Sequence, residues 1–277
     1  MTPAPLGSPA IAASNAGSVT RASVISQSFG KLCGLLRWQA VIAMLIAAPM
    51  IVESTLSDAA ARLADVRQAI AHAAGLAGRS EADVALIAIS KTHDAPAIRP
   101  LIDAGQRLFG ENRVQEAQAK WPALREETPG IALHLVGQLQ SNKAAEAVAL
   151  FDVIHALDRP SLVTALGRAM DAAGRRIPCF VQVNIGAEDQ KGGCAIADVP
   201  ALLDQARAAD IPVPGLMCVP PADVEAAPYF ALLAKMARDH GLTGLSMGMS
   251  GDFETAVMLG ATHVRVGTAL FGGRPPL

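Results

Sequence analysis

The sequence is poor in aromatic residues and in net charge. Phe, Trp and Tyr together make up 4% of the 277 residues, and Tyr229 is the single tyrosine. The formal net charge at pH 7 is -2, so the chain as a whole has no electrostatic attraction to nucleic acids or to anionic membranes. We therefore expect neither of these as a partner.

Cysteine is also scarce. The four cysteines form no C-x-x-C pair and no cluster with histidine at the spacing of a zinc site: Cys33, Cys179, Cys194 and Cys218. We expect small buried thiols in a reducing compartment, which predicts a cytoplasmic protein without a bound metal.

The first 52 residues lack the periodicity that marks the rest of the chain. Residues 1–30 are rich in Ser, Ala, Pro and Gly, a composition typical of disorder. The apolar run that follows, 35–52, is interrupted by Arg37 and Gln39. Its uninterrupted part is shorter than the roughly 17–25 residues of a membrane span.

A signal peptide is an alternative for this segment, but no A-x-A cleavage site follows the apolar run. A second alternative is that translation starts at Met44 or Met50. We interpret residues 1–52 as a dispensable extension or a misplaced start, and residues 53–277 as the functional domain.

From residue 55 onward, helical and strand-like patterns alternate. A leading amphipathic helix is predicted over 55–74. Eight short apolar runs are predicted as strands, over 84–89, 107–110, 132–137, 152–156, 179–184, 213–218, 243–247 and 262–267. The gaps between them have helical patterns, over 95–105, 112–120, 141–149, 160–174, 196–209, 225–240 and 252–260.

This alternation predicts an α/β protein with a parallel sheet, because strands that alternate with helices pair through right-handed crossovers. Eight such units in about 220 residues is the number found in a (β/α)8 barrel. The alternative is a doubly wound open sheet, but no G-x-G-x-x-G follows the first strand to support a dinucleotide site. We predict a single TIM-type (β/α)8 barrel with a leading helix.

In such a barrel the functional residues follow the C-terminal ends of the strands. Lys91 follows the first strand in "LIAISK". A lysine there can bind a phosphate as a point charge or attack a carbonyl with its amine. The alternative is an ordinary surface lysine.

The last two strands are followed by "MGMSGDFE" and "RVGTALFG". Ser250, Gly251, Gly267 and Thr268 supply hydroxyls and open backbone amides at the place where barrels often bind phosphate. Ser250 or Asp252 could equally be the N-cap of the helix that follows.

Arg265 lies inside the last apolar strand, between Val264 and Val266, and alternation points it into the barrel. Together with Lys91 and the two loops it describes a site for a ligand with a carbonyl and a phosphate, such as pyridoxal 5'-phosphate (PLP) or a sugar phosphate. Arg265 favours PLP, because a guanidinium beside a pyridine nitrogen keeps that nitrogen unprotonated. The alternative for Arg265 is a carboxylate partner within the barrel.

Seven ordered segments resemble the motifs of the pyridoxal phosphate homeostasis protein family, the single-domain relatives of the alanine racemase N-terminal barrel. They are "AISKTH", "FGENRVQEA", "HLVGQLQSNK", "QVNIGAEDQKGG", "GLMCV", "LSMGMSGDFETAV" and "VRVGTALFG". The likeness runs from about Leu56 to Gly273 and leaves out residues 1–52. Two departures are Gln138, where proline is common, and Gly251, where an acidic residue is common.

The resemblance implies a role for each matching position. Lys91 matches the lysine that forms the Schiff base with PLP, and Arg265 matches the arginine that faces the pyridine nitrogen. Asn112 matches a position near the ring. The phosphate-contacting positions match Ser250, Gly267 and Thr268, with Gly251 in the same loop.

The resemblance also implies a PLP carrier without an established reaction, which acts in vitamin B6 and amino-acid homeostasis. The residues agree, because a racemase needs a base on each face of the substrate carbon, and Tyr229 falls in a predicted helix between the sixth and seventh strands. We expect a monomer that binds PLP and serves PLP-dependent apo-enzymes. A weak PLP-dependent racemase and a Schiff-base aldolase remain the alternatives.

Three further residues have alternative interpretations or none. His134 could face the ring or make a structural hydrogen bond inside the barrel. Lys143 could meet a phosphate, although a solvated lysine is the simpler interpretation. Lys191 lies near the predicted mouth without an assigned function.

Overall fold

The structure is a computed structural model that describes residues 58–272. The predicted extension over 1–52 and the thiol of Cys33 lie outside this range. Within it, no helix is long and apolar enough to cross a membrane.

Eight parallel strands form a closed barrel in which each strand pairs with its neighbours in sequence and β1 pairs with β8. The strands are β1 (Ala85–Ile89), β2 (Leu108–Glu111), β3 (Ala132–Leu135), β4 (Val153–Leu157), β5 (Cys179–Val183), β6 (Gly215–Cys218), β7 (Gly244–Ser246) and β8 (His263–Val266). The predicted fold class is therefore confirmed, and all eight predicted strands are present.

Helices cover the outside of the barrel. The first, α1, spans residues 58–76. The others are α2 (Ala95–Asp103), α3 (Val114–Glu127), α4 (Ala144–Leu150), α5 (Pro160–Ala173), α6 (Val199–Ala208), α7 (Ala227–Asp239), α8 (Phe253–Met258) and α9 (Thr268–Phe271). Because the helices bury the outer face of the strands, the strands read as continuous apolar runs rather than as an alternation.

Helix α3 is longer than the predicted segment 112–120, because it continues through Pro122 to Glu127. Proline removes one backbone hydrogen bond from a helix interior. Ala117, Trp121 and Leu124 are all buried at helical spacing, so the packing of this face against the barrel outweighs the missing bond.

Polar side chains lie inside the barrel among the apolar ones. His134, His155, Ser246 and Arg265 are each less than 6% exposed. Buried polar groups cost free energy unless they are hydrogen-bonded. We therefore expect each of these side chains to have a hydrogen-bond partner inside the barrel.

Candidate functional site

A cavity of about 440 Å³ opens at the C-terminal ends of the strands. All seven predicted site residues line it: Lys91, Asn112, Ser250, Gly251, Arg265, Gly267 and Thr268. The remaining wall is apolar and is formed by Ile89, Val136, Val219 and Met249. The fold thus brings an amine, hydroxyls and backbone amides from the loops after β1, β7 and β8 to one place, together with a guanidinium from β8 itself.

Lys91 reaches this cavity from the turn that follows β1. Ile89 and Lys91 both line the cavity, whereas Ser90, between them, is fully buried on the opposite side. The hydroxyl of Ser90 donates to Glu111 at 2.6 Å. A partly exposed lysine beside an apolar wall can present its amine to a ligand.

Asn112 follows β2 and its position depends on Gly137. A Cβ atom at residue 137 would lie only 2.7 Å from the Cα of Asn112, closer than two carbons can approach. Glycine therefore allows the loop after β3 to pack directly on the backbone of Asn112.

The loops after β7 and β8 are joined through Ser250. Its hydroxyl oxygen accepts hydrogen bonds from the backbone N–H groups of Gly267, at 3.2 Å, and of Ala269, at 3.5 Å. Of the two N-cap residues predicted for the helix after the seventh strand, Ser250 or Asp252, Asp252 holds the position, and Ser250 turns toward α9. A Cβ on Gly251 would meet nothing within 4 Å, so the backbone there is open to a ligand.

Arg265 is 5% exposed and points into the barrel, as alternation predicts. Its guanidinium donates to the hydroxyl of Ser246 and to the carbonyl of Cys218, each at 2.8 Å. Neutral oxygens therefore hold it, instead of the carboxylate that the alternative prediction required. Burial lowers the pKa of Arg265 from its ordinary value, but an arginine keeps its proton in proteins.

The hydrogen bonds of Arg265 continue into the barrel through Ser246 and His155, which the sequence did not single out, to His134, which it did. Nδ1 of His155 lies 2.8 Å from the Ser246 hydroxyl, and Nε2 of His155 lies 2.9 Å from Nδ1 of His134. Since an arginine can only donate, the serine oxygen accepts from Arg265, and its hydroxyl can in turn donate to His155. The Nε2–H of His155 then donates to His134, so one chain of bonds runs from the cavity into the core.

His134 and His155 are neutral near pH 7 in the folded protein, and so is the neighbouring His263, whose ring centroid lies 5.8 Å from that of His155. Burial, chiefly, lowers the pKa of His134 to about 3 and that of His263 to about 4, and it holds the pKa of His155 well below 6.5. His155 also stacks on Phe180, with ring centroids 4.5 Å apart. The sequence signal for this network was a single polar residue inside each of several apolar strands.

The other residues considered from the sequence lie outside the 440 Å³ cavity. His134 makes a structural hydrogen bond, Lys143 pairs with Glu146 at 2.9 Å, and Lys191 pairs with Glu188 at 2.6 Å. Tyr229 packs against the core from α7. Cys179, Cys194 and Cys218 are free and buried, and burial raises the pKa of each thiol to about 12.

Comparisons with known proteins show which sequences are similar to this chain. The family described as the alanine racemase N-terminal domain matches residues 62–275. The pyridoxal phosphate homeostasis protein of Escherichia coli K12 is 38% identical over 231 residues, which cover 79% of this chain and 98% of that protein. Its namesake from Pseudomonas aeruginosa is 39% identical over 225 residues, which cover 79% of this chain and 97% of that protein.

Solved structures give the same result. PipY of Synechococcus elongatus PCC7942, with PLP bound, is similar with a TM-score of 0.68 and 40% identity, over 77% of this chain and 100% of PipY. A histidine racemase from Leuconostoc mesenteroides shares only the fold, with a TM-score of 0.59 and 18% identity over 79% of this chain and 58% of the racemase.

Proposed function

The chain belongs to the pyridoxal phosphate homeostasis protein family, and on that basis we propose that it binds PLP in the cavity at the mouth of its barrel and holds it for vitamin B6 and amino-acid homeostasis. The observation that carries this proposal is that one cavity is lined by Lys91, by Arg265 and by the two loops that contain Ser250 and Thr268. The aldolase alternative gives Arg265 no role, and the racemase alternative shares this site but needs a second base.

The residues present fit PLP in size and in chemistry. The cavity volume of about 440 Å³ lies within the roughly 300–1,000 Å³ of small-ligand sites. The apolar wall of Ile89, Val136 and Val219 suits an aromatic ring. Hydroxyls and unobstructed backbone amides at Ser250, Gly251 and Thr268 suit a phosphate.

When bound, PLP supplies three groups: a pyridine nitrogen, a phosphate, and an aldehyde that bonds reversibly to a primary amine. Lys91 provides the one lysine amine among the residues that line this cavity. Arg265 provides a fixed positive charge and N–H donors, so a pyridine nitrogen that faces it accepts a hydrogen bond and does not take a proton. This weakens the electron withdrawal on which PLP enzymes depend.

The same cavity lacks a second proton-transfer group, which supports a carrier over a racemase. Of the lining residues, Lys91 is the one lysine, and Arg265 remains protonated. Tyr229, the single tyrosine, packs on α7 away from the cavity. Abstraction and return of a proton on opposite faces of one carbon needs two such groups.

We propose further that the protein works as a cytoplasmic monomer and passes PLP to apo-enzymes that need it. Free, buried thiols at Cys179, Cys194 and Cys218 suit a reducing compartment. The partly exposed cavity mouth suits a ligand that leaves again.

Reductive trapping tests the proposal. The purified protein is incubated with PLP, reduced with borohydride, digested and analysed by mass spectrometry, and we expect the PLP adduct on Lys91. Lys91→Ala should lose the adduct. Lys143→Ala is the matched control and should keep it, because Lys143 pairs with Glu146 outside the cavity.

A wild-type protein without an adduct, or a Lys91→Ala protein that carries as much adduct on another lysine, would contradict the proposal.

A further inference from the structure

The backbone that carries Lys91 is a tight turn in a conformation that its sequence disfavours. The N–H of His93 donates to the carbonyl of Ser90 at 3.1 Å, and Thr92 has a φ of 67°. A positive φ at the third residue of a turn favours glycine, and a β-branched residue there is strained. Something outside the turn has to hold Thr92 in place.

One ammonium group is hydrogen-bonded to both ends of this turn. Nζ of Lys120, on α3, donates to the carbonyl oxygens of Ser90, at 2.9 Å, and of His93, at 2.8 Å. The Lys120 side chain is only 9% exposed and pairs with Glu111 at 2.9 Å and with Glu116 at 3.1 Å. Residues 90 and 93 are therefore tied to the same atom, with Lys91 between them.

The rest of the turn is held from the same side. Glu116 accepts a hydrogen bond from the backbone N–H of Thr92. Glu111, which is fully buried, accepts from the hydroxyl of Ser90 at 2.6 Å and from the indole N–H of Trp121 at 2.9 Å. The side chain of Lys91 leaves the turn on the opposite side, into the cavity.

The far end of the turn also contacts the phosphate side of the site. The ring of His93 stacks on Phe271 of α9, with centroids 4.4 Å apart and planes 14° apart. The turn is thus fixed between α3 on one side and α9 on the other, and its position relative to the Ser250–Thr268 loops is set.

We propose that Lys120 is a positioning residue that keeps the turn at residues 90–93 strained so that the amine of Lys91 stays aimed into the cavity. We call the bonds of Lys120 to Ser90 and His93 the clamp. The effect of the clamp on PLP capture rests on the proposed function, whereas the clamp itself does not. A purely structural ion pair would stabilise the fold without acting on Thr92. The two roles predict different effects of Thr92→Gly, which removes the strain: it compensates for the loss of Lys120 only if Lys120 acts on Thr92.

The test variant combines Lys120→Met with Glu111→Gln. Lys120→Met alone would leave the Glu111 carboxylate buried without a counter-ion, and within residues 58–272 its Oε2 already has no hydrogen-bond partner. Glu111→Gln by itself is the matched control, since it keeps the bonds of Lys120 to Ser90 and His93.

Hydrogen exchange in the PLP-free protein reads the clamp directly. In the double variant we expect the amides of Thr92 and His93 to exchange at least about tenfold faster than in the control, while the amides of β1 and α3 keep their protection. Unchanged protection at Thr92 and His93 would overturn the clamp.

Reductive trapping over a range of PLP concentrations reads the consequence. The apparent PLP affinity of the double variant should fall by about tenfold, and adding Thr92→Gly should restore part of it, because glycine adopts a positive φ without support. Fast exchange with wild-type affinity, or no recovery with glycine, would overturn the positioning role. If the wild-type protein captures no PLP, the proposed function fails, and the exchange data still judge the clamp.

A second variant covers the case in which the double variant does not fold. Glu116→Ala removes the acceptor of the Thr92 N–H from a side chain that is 28% exposed. We expect faster exchange at Thr92 and an affinity about threefold weaker, with the fold intact. Wild-type exchange and affinity in this variant would count against the proposal.

Discussion

At the scale of single residues, the barrel interior combines a buried guanidinium, that of Arg265, with neutral histidines. Arg265 was predictable, because an arginine inside an apolar strand must point somewhere specific. Its partners were not, since Ser246 and His155 come into contact only through the stagger of β4, β7 and β8. The hydrogen bonds from Arg265 through Ser246 and His155 to His134 fix the orientation of the guanidinium by contacts with strand residues of the core.

The buried histidines predict a loss of stability in mild acid. The folded pKa values of about 3 for His134 and about 4 for His263 lie below the ordinary value of 6.5. Below pH 6.5 the unfolded chain therefore binds protons that the folded chain does not, and the free energy of unfolding falls as the pH drops toward 4. At pH 5 these two histidines should lower it by about 2 kcal/mol each relative to pH 7.5.

Urea unfolding at pH 7.5 and pH 5 measures this difference. His263→Asn should reduce it by about 2 kcal/mol, whereas His72→Asn, at an exposed position on α1, should leave it unchanged. Equal stability at the two pH values, or equal effects of the two substitutions, would show that the buried histidines are not responsible.

At the scale of secondary structure, the apolar runs predicted the elements well and their ends less well. All eight strands were found, because buried parallel strands are continuously apolar. The prediction for α3 stopped at residue 120, since local propensity disfavours Pro122, while the burial of Trp121 and Leu124 depends on contacts with the barrel. The clamp of Lys120 on the first turn could not be foreseen for the same reason.

The contact between the loop after β3 and the segment after β2 predicts a specific effect of a small substitution. Gly137→Ala would place a methyl group against the backbone of Asn112, which should destabilise the protein by about 1–3 kcal/mol and weaken PLP binding. Urea unfolding and PLP titration of the variant measure both effects.

Gly75→Ala on α1 is the matched control, because a Cβ there meets nothing within 4 Å. It should raise the stability by up to about 1 kcal/mol and leave PLP binding unchanged. If the two substitutions behave alike, the position of Asn112 does not depend on Gly137.

At the scale of the whole molecule, closure of the barrel is what assembles the site. Pairing of β1 with β8 places Ile87 beside Arg265, and the loops that carry Lys91, Ser250 and Thr268 meet at the same end. The sequence alone predicts that functional residues gather at this end, because in a barrel of eight βα units they follow the C-terminal ends of the strands. It could not give the cavity itself, which depends on how the loops pack.

A crystal structure of the full chain grown with PLP would show whether the cofactor binds to Lys91 in this cavity. We expect electron density continuous from Nζ of Lys91 to the cofactor, the phosphate among Ser250, Gly251 and Thr268, and the pyridine nitrogen facing Arg265. PLP bound at another lysine, or in this cavity with its phosphate away from those loops, would contradict it.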